Sequence, residues 1–267
     1  MANPVILVVG AGPGVGSAVA RRFGMAGYDV ALIARSATRL QSLGESLQAD
    51  GITTGWTAVD VTDAAAFSGA VSRFGGHAGH IDVLHFNPSA TTMKSPIELS
   101  PDELLADVNL GVASLLTAVQ TARPFMPAGA RVTVTGSGTA DRPWTAAASV
   151  GVQKAALRNL VGALGDELKP HGVRAVTVTV RGLIKPGGRF DPAHVADATY
   201  TASTRPDADW TRGRLRRRPL TGLVVGRASS GRSSAAVYAC EVRPRARLGA
   251  RSELGGGRGR ILAPNRH

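Results

Sequence analysis

A glycine-rich turn placed directly after the first apolar run constrains this chain more than any other feature. Gly10-Ala-Gly-Pro-Gly14-Val-Gly16 follows Val5–Val9 and opens a helical stretch near residues 14–26. Glycines let the backbone turn tightly and be approached closely. A helix starting there offers unpaired N–H groups and the positive end of its dipole, which together attract phosphate. Such turns also occur for packing reasons alone. At the head of a β-α-β unit, however, this one points to a dinucleotide's pyrophosphate. Gly10, Gly14, Val15 and Gly16 are the expected cradle.

The alternation begun there continues through the first 185 residues. Apolar strands are expected at 5–9, 30–33, 56–59, 83–86, 131–135 and 173–180, with helices near 14–26, 37–49, 63–74, 102–123 and 151–169. Continuous apolar runs suit strands buried on both faces, and strands alternating with helices imply a parallel sheet covered on both sides. Pro101-Asp102-Glu103 places a proline and two carboxylates in a first helical turn, and Lys169-Pro170-His171-Gly172 supplies a stop. Six strands with right-handed crossovers make an α/β, doubly wound, Rossmann-type sheet with its ligand crevice at the carboxyl ends. A seventh strand has one candidate, residues 220–225, set among arginines. With 267 residues, 43% of them hydrophobic, the chain can bury the core of a single α/β domain.

Charge divides the chain. Residues 1–211 balance 17 Lys and Arg against 17 Asp and Glu, whereas residues 212–267 hold 14 Arg, no Lys and 2 Glu, and so carry the whole net charge of +12. Apolar periodicity fades after Trp210. The expected organisation is a nucleotide-binding domain over 1–205 and an irregular or non-native basic tail over 206–267, of the composition a GC-rich gene yields when read out of frame. The tail would attract phosphate in a salt-dependent way, but it lacks interleaved aromatics, so no specific nucleic acid is expected as partner. The single cysteine, Cys240, excludes an internal disulfide framework and fits a reducing cytoplasm. No apolar run approaches the roughly 18–20 residues of a membrane span. Met-Ala-Asn-Pro supplies no basic region ahead of Val5, so a cytoplasmic protein is expected.

Chemistry enters with Asn109, Ser137 and Lys154, spaced by 28 and 17 residues, and with Val150, four positions before Lys154. The set resembles the active site of the short-chain dehydrogenase/reductase family, an Asn, a Ser and a Tyr-x-x-x-Lys pair. The resemblance covers about residues 4–205. It implies an oxidoreductase that moves a hydride between a nicotinamide cofactor and a carbonyl or alcohol. On that resemblance Ser137 bonds the substrate oxygen, Lys154 holds the cofactor ribose, and Asn109 holds a water in the proton relay. The family's tyrosine exchanges the substrate proton, and Val150 stands in its place. The segment resembles an atypical branch that lacks this tyrosine. A positioned general acid is worth roughly 10²–10⁴ in rate. Ser149, Thr139 and a Lys154-bound water are the open alternatives as donor.

The same resemblance fills in the cofactor site. Asp60 and Val61 end the third strand where the family contacts adenine. Asn87, in Phe86-Asn-Pro-Ser-Ala90, follows the fourth strand beside the cofactor. Gly182 and Ile184, in Arg181-Gly-Leu-Ile184, stand where the family has Pro-Gly-x-Ile near the nicotinamide. The second strand ends in Ala34-Arg35-Ser36 with no carboxylate to hold ribose hydroxyls. Arg35 can fork onto a 2′-phosphate, or be a solvated strand-end residue. NADP is the expected cofactor, NAD less so, and no metal site is expected. The competing function is an NADP(H)-binding pseudoenzyme, a sensor or scaffold. A homodimer or homotetramer built on helices 102–123 and 151–169 is the family default, and residues 186–210 are expected to cover the pocket.

Overall fold

The structure, a computed structural model, describes residues 2–206 and a short strand at Val237–Ala239. Its sheet runs β3-β2-β1-β4-β5-β6-β7, and the first six strands in that order are parallel. They are β1 (Val5–Val9), β2 (Asp29–Ala34), β3 (Thr54–Ala58), β4 (Val83–Phe86), β5 (Arg131–Ser137) and β6 (Arg174–Val180). The Rossmann-type α/β reading is thus the observed fold.

The period-two geometry of a strand explains how β1 serves two cores. Leu7 and Val9 join Phe67, Ala118 and Leu157 on one face, which belong to α3 (Ala64–Ala78), α5 (Ser114–Ala122) and α6 (Ala148–Leu168). Ile6 and Val8 join Val19, Phe23 and Val195 on the other face, from α1 (Val15–Gly24) and α7 (Pro192–Ser203). Leu40 and Leu47 of α2 (Ala37–Ala49) extend that second face. Each fully buried residue of this kind stabilises the fold by roughly 1.5–3 kcal/mol.

Side chains close most helix starts. Ser36 caps α2, Asp63 caps α3, and Asp191 caps α7. Ser100 and Glu103 form a reciprocal capping box on α4 (Pro101–Val108), with Pro101 at its first turn. α5 and α6 follow on from helical turns and have no side-chain cap, and at α1 the cap residue is Gly14, which has no side chain to offer.

Three expectations change. The helix expected at 102–123 is interrupted: after α4 the chain widens into a π-helix at Asn109–Ala113 before resuming as α5. By length and composition the continuous stretch Pro101–Phe125 is long and apolar enough to cross a membrane, which the sequence reading did not allow. In this fold Leu115, Ala118, Val119 and Ala122 are spent on the sheet. Second, the segment 186–210 contains a helix that the sequence reading did not place. Twelve of its residues form α7, which packs on α1 through the Arg22–Asp197 ion pair (2.8 Å) and the Arg22 guanidinium stacked 3.7 Å from the Tyr200 ring centroid, while residues 207–210 lie outside the described residues. Third, the seventh strand is β7 (Val237–Ala239), antiparallel to β6, whereas the candidate 220–225 lies outside the described residues. So does the rest of the basic tail after residue 206.

Candidate functional site: a dinucleotide crevice with a polar reaction end

The strand order reverses between β1 and β4, and such a switch point opens a crevice at the carboxyl ends of the strands. Val9 and Phe86 pair across it, so the residues that follow, Gly10 and Asn87, emerge side by side. Asn87 ties them: its N–H donates to the Val9 carbonyl (2.9 Å) and its Nδ2 to the Gly10 carbonyl (3.0 Å).

The glycine turn needs its glycines for different reasons. Gly10 and Gly14 have φ of 84° and 102°, where side chains are strained. A Cβ on Gly16 would lie 2.3 Å from the Gly10 carbonyl oxygen, so α1 can pack onto the turn only with hydrogen there. Around Gly12 and Gly14, by contrast, a Cβ would meet nothing within 4 Å. The N–H groups of Gly10 and Ala11 both go to the Ile33 carbonyl, which pins the turn to β2. The first N–H groups of α1, on Val15 and Gly16, have no helical carbonyl ahead of them and no side-chain cap. These residues fit a pyrophosphate: open space, glycine on its wall, and donors at a helix start.

A cavity of about 590 Å³ extends from this turn across the ends of β2 and β3 and along the chain after β4. Of the predicted residues it is lined by Gly10, Arg35, Val61 and Asn87. Arg39, one helical turn beyond Arg35, also lines it and was missed from sequence, although its place in the first turn of α2 was legible. Gly14, Val15 and Gly16 flank the cavity at the start of α1. Asp60 does not line it, though Val59 and Val61 on either side do. One Asp60 oxygen accepts the Thr62 N–H (2.9 Å) and hydroxyl (2.8 Å). Those bonds first, and the Arg35 charge to a lesser degree, hold its carboxyl below its ordinary range.

Ser137, Lys154 and Asn109 lie outside this cavity's lining but next to its far end, where Pro88, Ser89 and Leu110 close it. Lys154 is 4% exposed, and its ammonium donates to the carbonyls of Thr135 (3.2 Å) and Pro88 (3.4 Å). It thereby joins the ends of β4 and β5. Burial lowers its pKa to about 8, so at neutral pH it is still protonated and can only donate. Ser137 ends β5, and its Oγ accepts both the N–H (3.2 Å) and the hydroxyl (3.0 Å) of Thr139. Val150, one turn before Lys154, is buried and carries no polar atom. Asn109 opens the π-helix on its exposed side. Gly182 and Ile184 are set by Phe190: a Cβ on Gly182 would strike that ring at 2.4 Å, and Ile184 bridges Phe190 through backbone.

Sequence reasoning missed the polar network behind these residues. Gln153 is fully buried, donates to the Asp107 carbonyl (2.7 Å) and accepts from the Ser89 hydroxyl (3.0 Å). The Asp107 carboxylate accepts from Ser149 (2.5 Å) and Thr92 (3.1 Å). The signal was present, since Ser149 and Gln153 occupy core-facing positions of α6 at helical spacing with Leu157 and Val161. Beyond it, Asp141 pairs with Arg158 (2.5 Å) and Arg181 (3.0 Å), clamping the loop after β5 to α6 and to the end of β6.

With this geometry in place, the kinship is direct. The short chain dehydrogenase family profile matches residues 4–187, and the chain belongs to that family. Among curated relatives, a short chain dehydrogenase of Pseudocercospora fijiensis is 30% identical over 206 residues, which cover 75% of this chain and 64% of the relative. Tropinone reductase-like 3 of Erythroxylum coca is 27% identical over 62% of this chain and 65% of its own length. The matched region therefore spans just under two thirds of these two relatives. Among solved structures, a short-chain dehydrogenase from Burkholderia cenocepacia in complex with NADP superposes with a TM-score of 0.68 at 27% identity, over 75% of this chain and 90% of the other. A short-chain dehydrogenase/reductase from Serratia marcescens gives 0.70 at 27% identity, over 78% and 93%. The family is one of oxidoreductases, and among the described residues no cluster of metal-ligating side chains occurs.

Proposed function

We propose that the chain is an NADP(H)-dependent oxidoreductase acting on a carbonyl or alcohol. The observation that carries the reading is the pairing of the glycine turn that leads into α1, Gly10 to Pro13, with two arginines, Arg35 and Arg39, in one cavity. Gly10, Gly14, Val15 and Gly16 would hold the pyrophosphate. Arg35 and Arg39 would hold a 2′-phosphate, Val61 and Asp60 would flank the adenine, and Asn87 and Lys154 would face the nicotinamide ribose. Gly182 and Ile184 would border the nicotinamide, which when bound supplies or accepts the hydride. A related structure that holds NADP supports the choice of cofactor.

At the reacting centre Ser137 would bond the substrate oxygen, and the Lys154 ammonium would supply fixed positive charge near it. Asn109 would hold water at the outer end. Titrating the protein with NADPH and then NADH while following intrinsic fluorescence tests the cofactor reading. Saturable quenching with tighter NADPH binding is expected, and no binding of either would overturn it.

Val150 favours a second reading, an NADP(H)-binding protein that does not turn over. An assay at the nicotinamide absorbance band against a panel of ketones and aldehydes separates the two, since only the enzyme consumes NADPH. We further propose a homodimer or homotetramer through α4, α5 and α6. Leu105, Leu116 and Val152 are exposed on those helices, and light scattering at native concentration reads the mass.

A further inference from the structure

We propose that Thr139 and Ser137 form a two-hydroxyl relay that delivers the substrate proton Val150 cannot supply. The inference rests on the oxidoreductase reading above and assigns the donor within it. A hydroxyl oxygen has two acceptor positions and one hydrogen. Both acceptor positions of Ser137 Oγ are filled by Thr139, through its N–H at 3.2 Å and its hydroxyl at 3.0 Å. With the bonds so arranged, the Ser137 hydrogen is not spent on Thr139 and is left for a substrate oxygen.

The other candidates are wholly or largely committed. Ser149 is fully buried and spends its hydrogen on the Asp107 carboxylate at 2.5 Å. Lys154 spends two of its three donors on backbone carbonyls, Thr135 and Pro88, and at 4% exposure has little contact with the water that would have to restore its proton. Thr139, like Ser137, is half-buried, which leaves the pair partly open to solvent.

The turn that carries the pair is held on three sides. A Cβ on Gly151 would come within 3.2 Å of the Thr139 carbonyl, and one on Gly138 within 3.3 Å of Arg181 Cα. Asp141, two residues on, is clamped by Arg158 and Arg181. A relay of weak acids needs this fixed geometry, because its gain lies in positioning rather than acidity. The step balances as a proton shift. The Ser137 O–H bond breaks as the substrate O–H bond forms, and the Thr139 O–H bond breaks as that of Ser137 is restored. A solvent water then reprotonates Thr139.

The test has a spectroscopic arm and a kinetic arm. With NADP⁺ bound, so that no hydride is available, carbonyl-¹³C acetophenone, cyclohexanone and benzaldehyde are added and the carbonyl stretch is recorded. The wild type is expected to lower the frequency of at least one probe. Thr139→Ser keeps that shift, whereas Thr139→Val and Ser137→Ala lose most of it. If no probe shifts in the wild type, or Thr139→Val shifts as the wild type does, the relay is overturned.

In turnover, Thr139→Val is expected to cost about 10²-fold in kcat with NADPH affinity unchanged, and Thr139→Ser only a few-fold. In a Val150→Tyr background, where a phenol can deliver the proton, the same Thr139→Val change is expected to cost little. Equal losses in both backgrounds would overturn the relay. So would a wild type inactive on every carbonyl beside an active Val150→Tyr variant, although the cofactor reading would then survive. Failure of NADPH to bind any variant is the separate outcome that removes the reading beneath it.

Discussion

Two guanidiniums, Arg35 and Arg39, flank the Ser36 cap where β2 ends, and both face the cavity. A hydrogen bond to a charged group contributes about 1.5–3 kcal/mol, and each 1.4 kcal/mol is a factor of ten. Arg35→Asp is therefore expected to weaken NADPH binding by roughly 10–150-fold while leaving NADH within a few-fold or improving it. Fluorescence titration with the two cofactors reads the ratio. If both weaken together, Arg35 supports the turn rather than reading a phosphate. At this scale the sequence was informative about type and spacing and silent about reason. Gly14 and Gly16 looked equivalent in the motif, yet one is required by its φ and the other by a carbonyl 2.3 Å away. Asp60 was legible as a residue just past the third strand, whereas its commitment to Thr62 was not, because a two-residue turn leaves no pattern.

The strands were readable as elements because burial on both faces leaves unbroken apolar runs. β1 and β4 fall at the predicted residues, and β3 is displaced because its leading Thr54 and Gly55 look like loop. α7 escaped notice for the opposite reason. Its buried positions are Val195, Ala196, Thr199 and Ser203, too small and polar to make a stripe, although Asp191-Pro192 is a legible start. The π-helix was invisible because it is set by a partner. Gln153 satisfies the Asp107 carbonyl just before the widening, and its side chain fills the space beside Gly111. A Cβ on Gly111 would lie 2.3 Å from Gln153 Cδ, so Gly111→Ala is expected to destabilise by about 1–3 kcal/mol, as overpacking does. Adding Gln153→Ala should relieve that clash and leave a non-additive cycle. Urea midpoints of the two single variants and the double variant measure it, and simple additivity would show that the pair does not set the turn.

At the scale of the whole sheet, an imidazole is sealed inside. His85 on β4 is fully buried, pairs with the Thr133 hydroxyl (2.9 Å), and is lowered by burial to a pKa of about 3. Its folded value lies below the ordinary 6.5, so the unfolded chain binds the proton first as pH falls. Stability is unaffected by His85 above pH 6.5. Below that it declines by up to about 1.4 kcal/mol per pH unit until pH 3. Urea unfolding at pH 7.5 and 5 should show this loss, and His85→Leu should flatten it. An unchanged slope in that variant would assign the loss to other groups.

The bare start of α1 bears on the whole molecule too. α1, α5 and α6 begin without a side-chain cap, but α5 continues the π-helix and α6 follows a 3-10 turn at Thr145–Ala147, whereas α1 starts bare from a turn and packs beneath both β1 and α7. The chain has left the finishing of that helix to whatever anion settles on Gly14 and Val15, which makes the ligand a structural part as much as a reagent. Occupancy should then be felt as far away as the Arg22–Asp197 contact. At a hundredfold excess over Kd, NADPH is expected to add about 2.7 kcal/mol to unfolding. Hydrogen exchange should slow along α1 and α7 together. Protection confined to the glycine turn would mean that the helix was already complete without its guest.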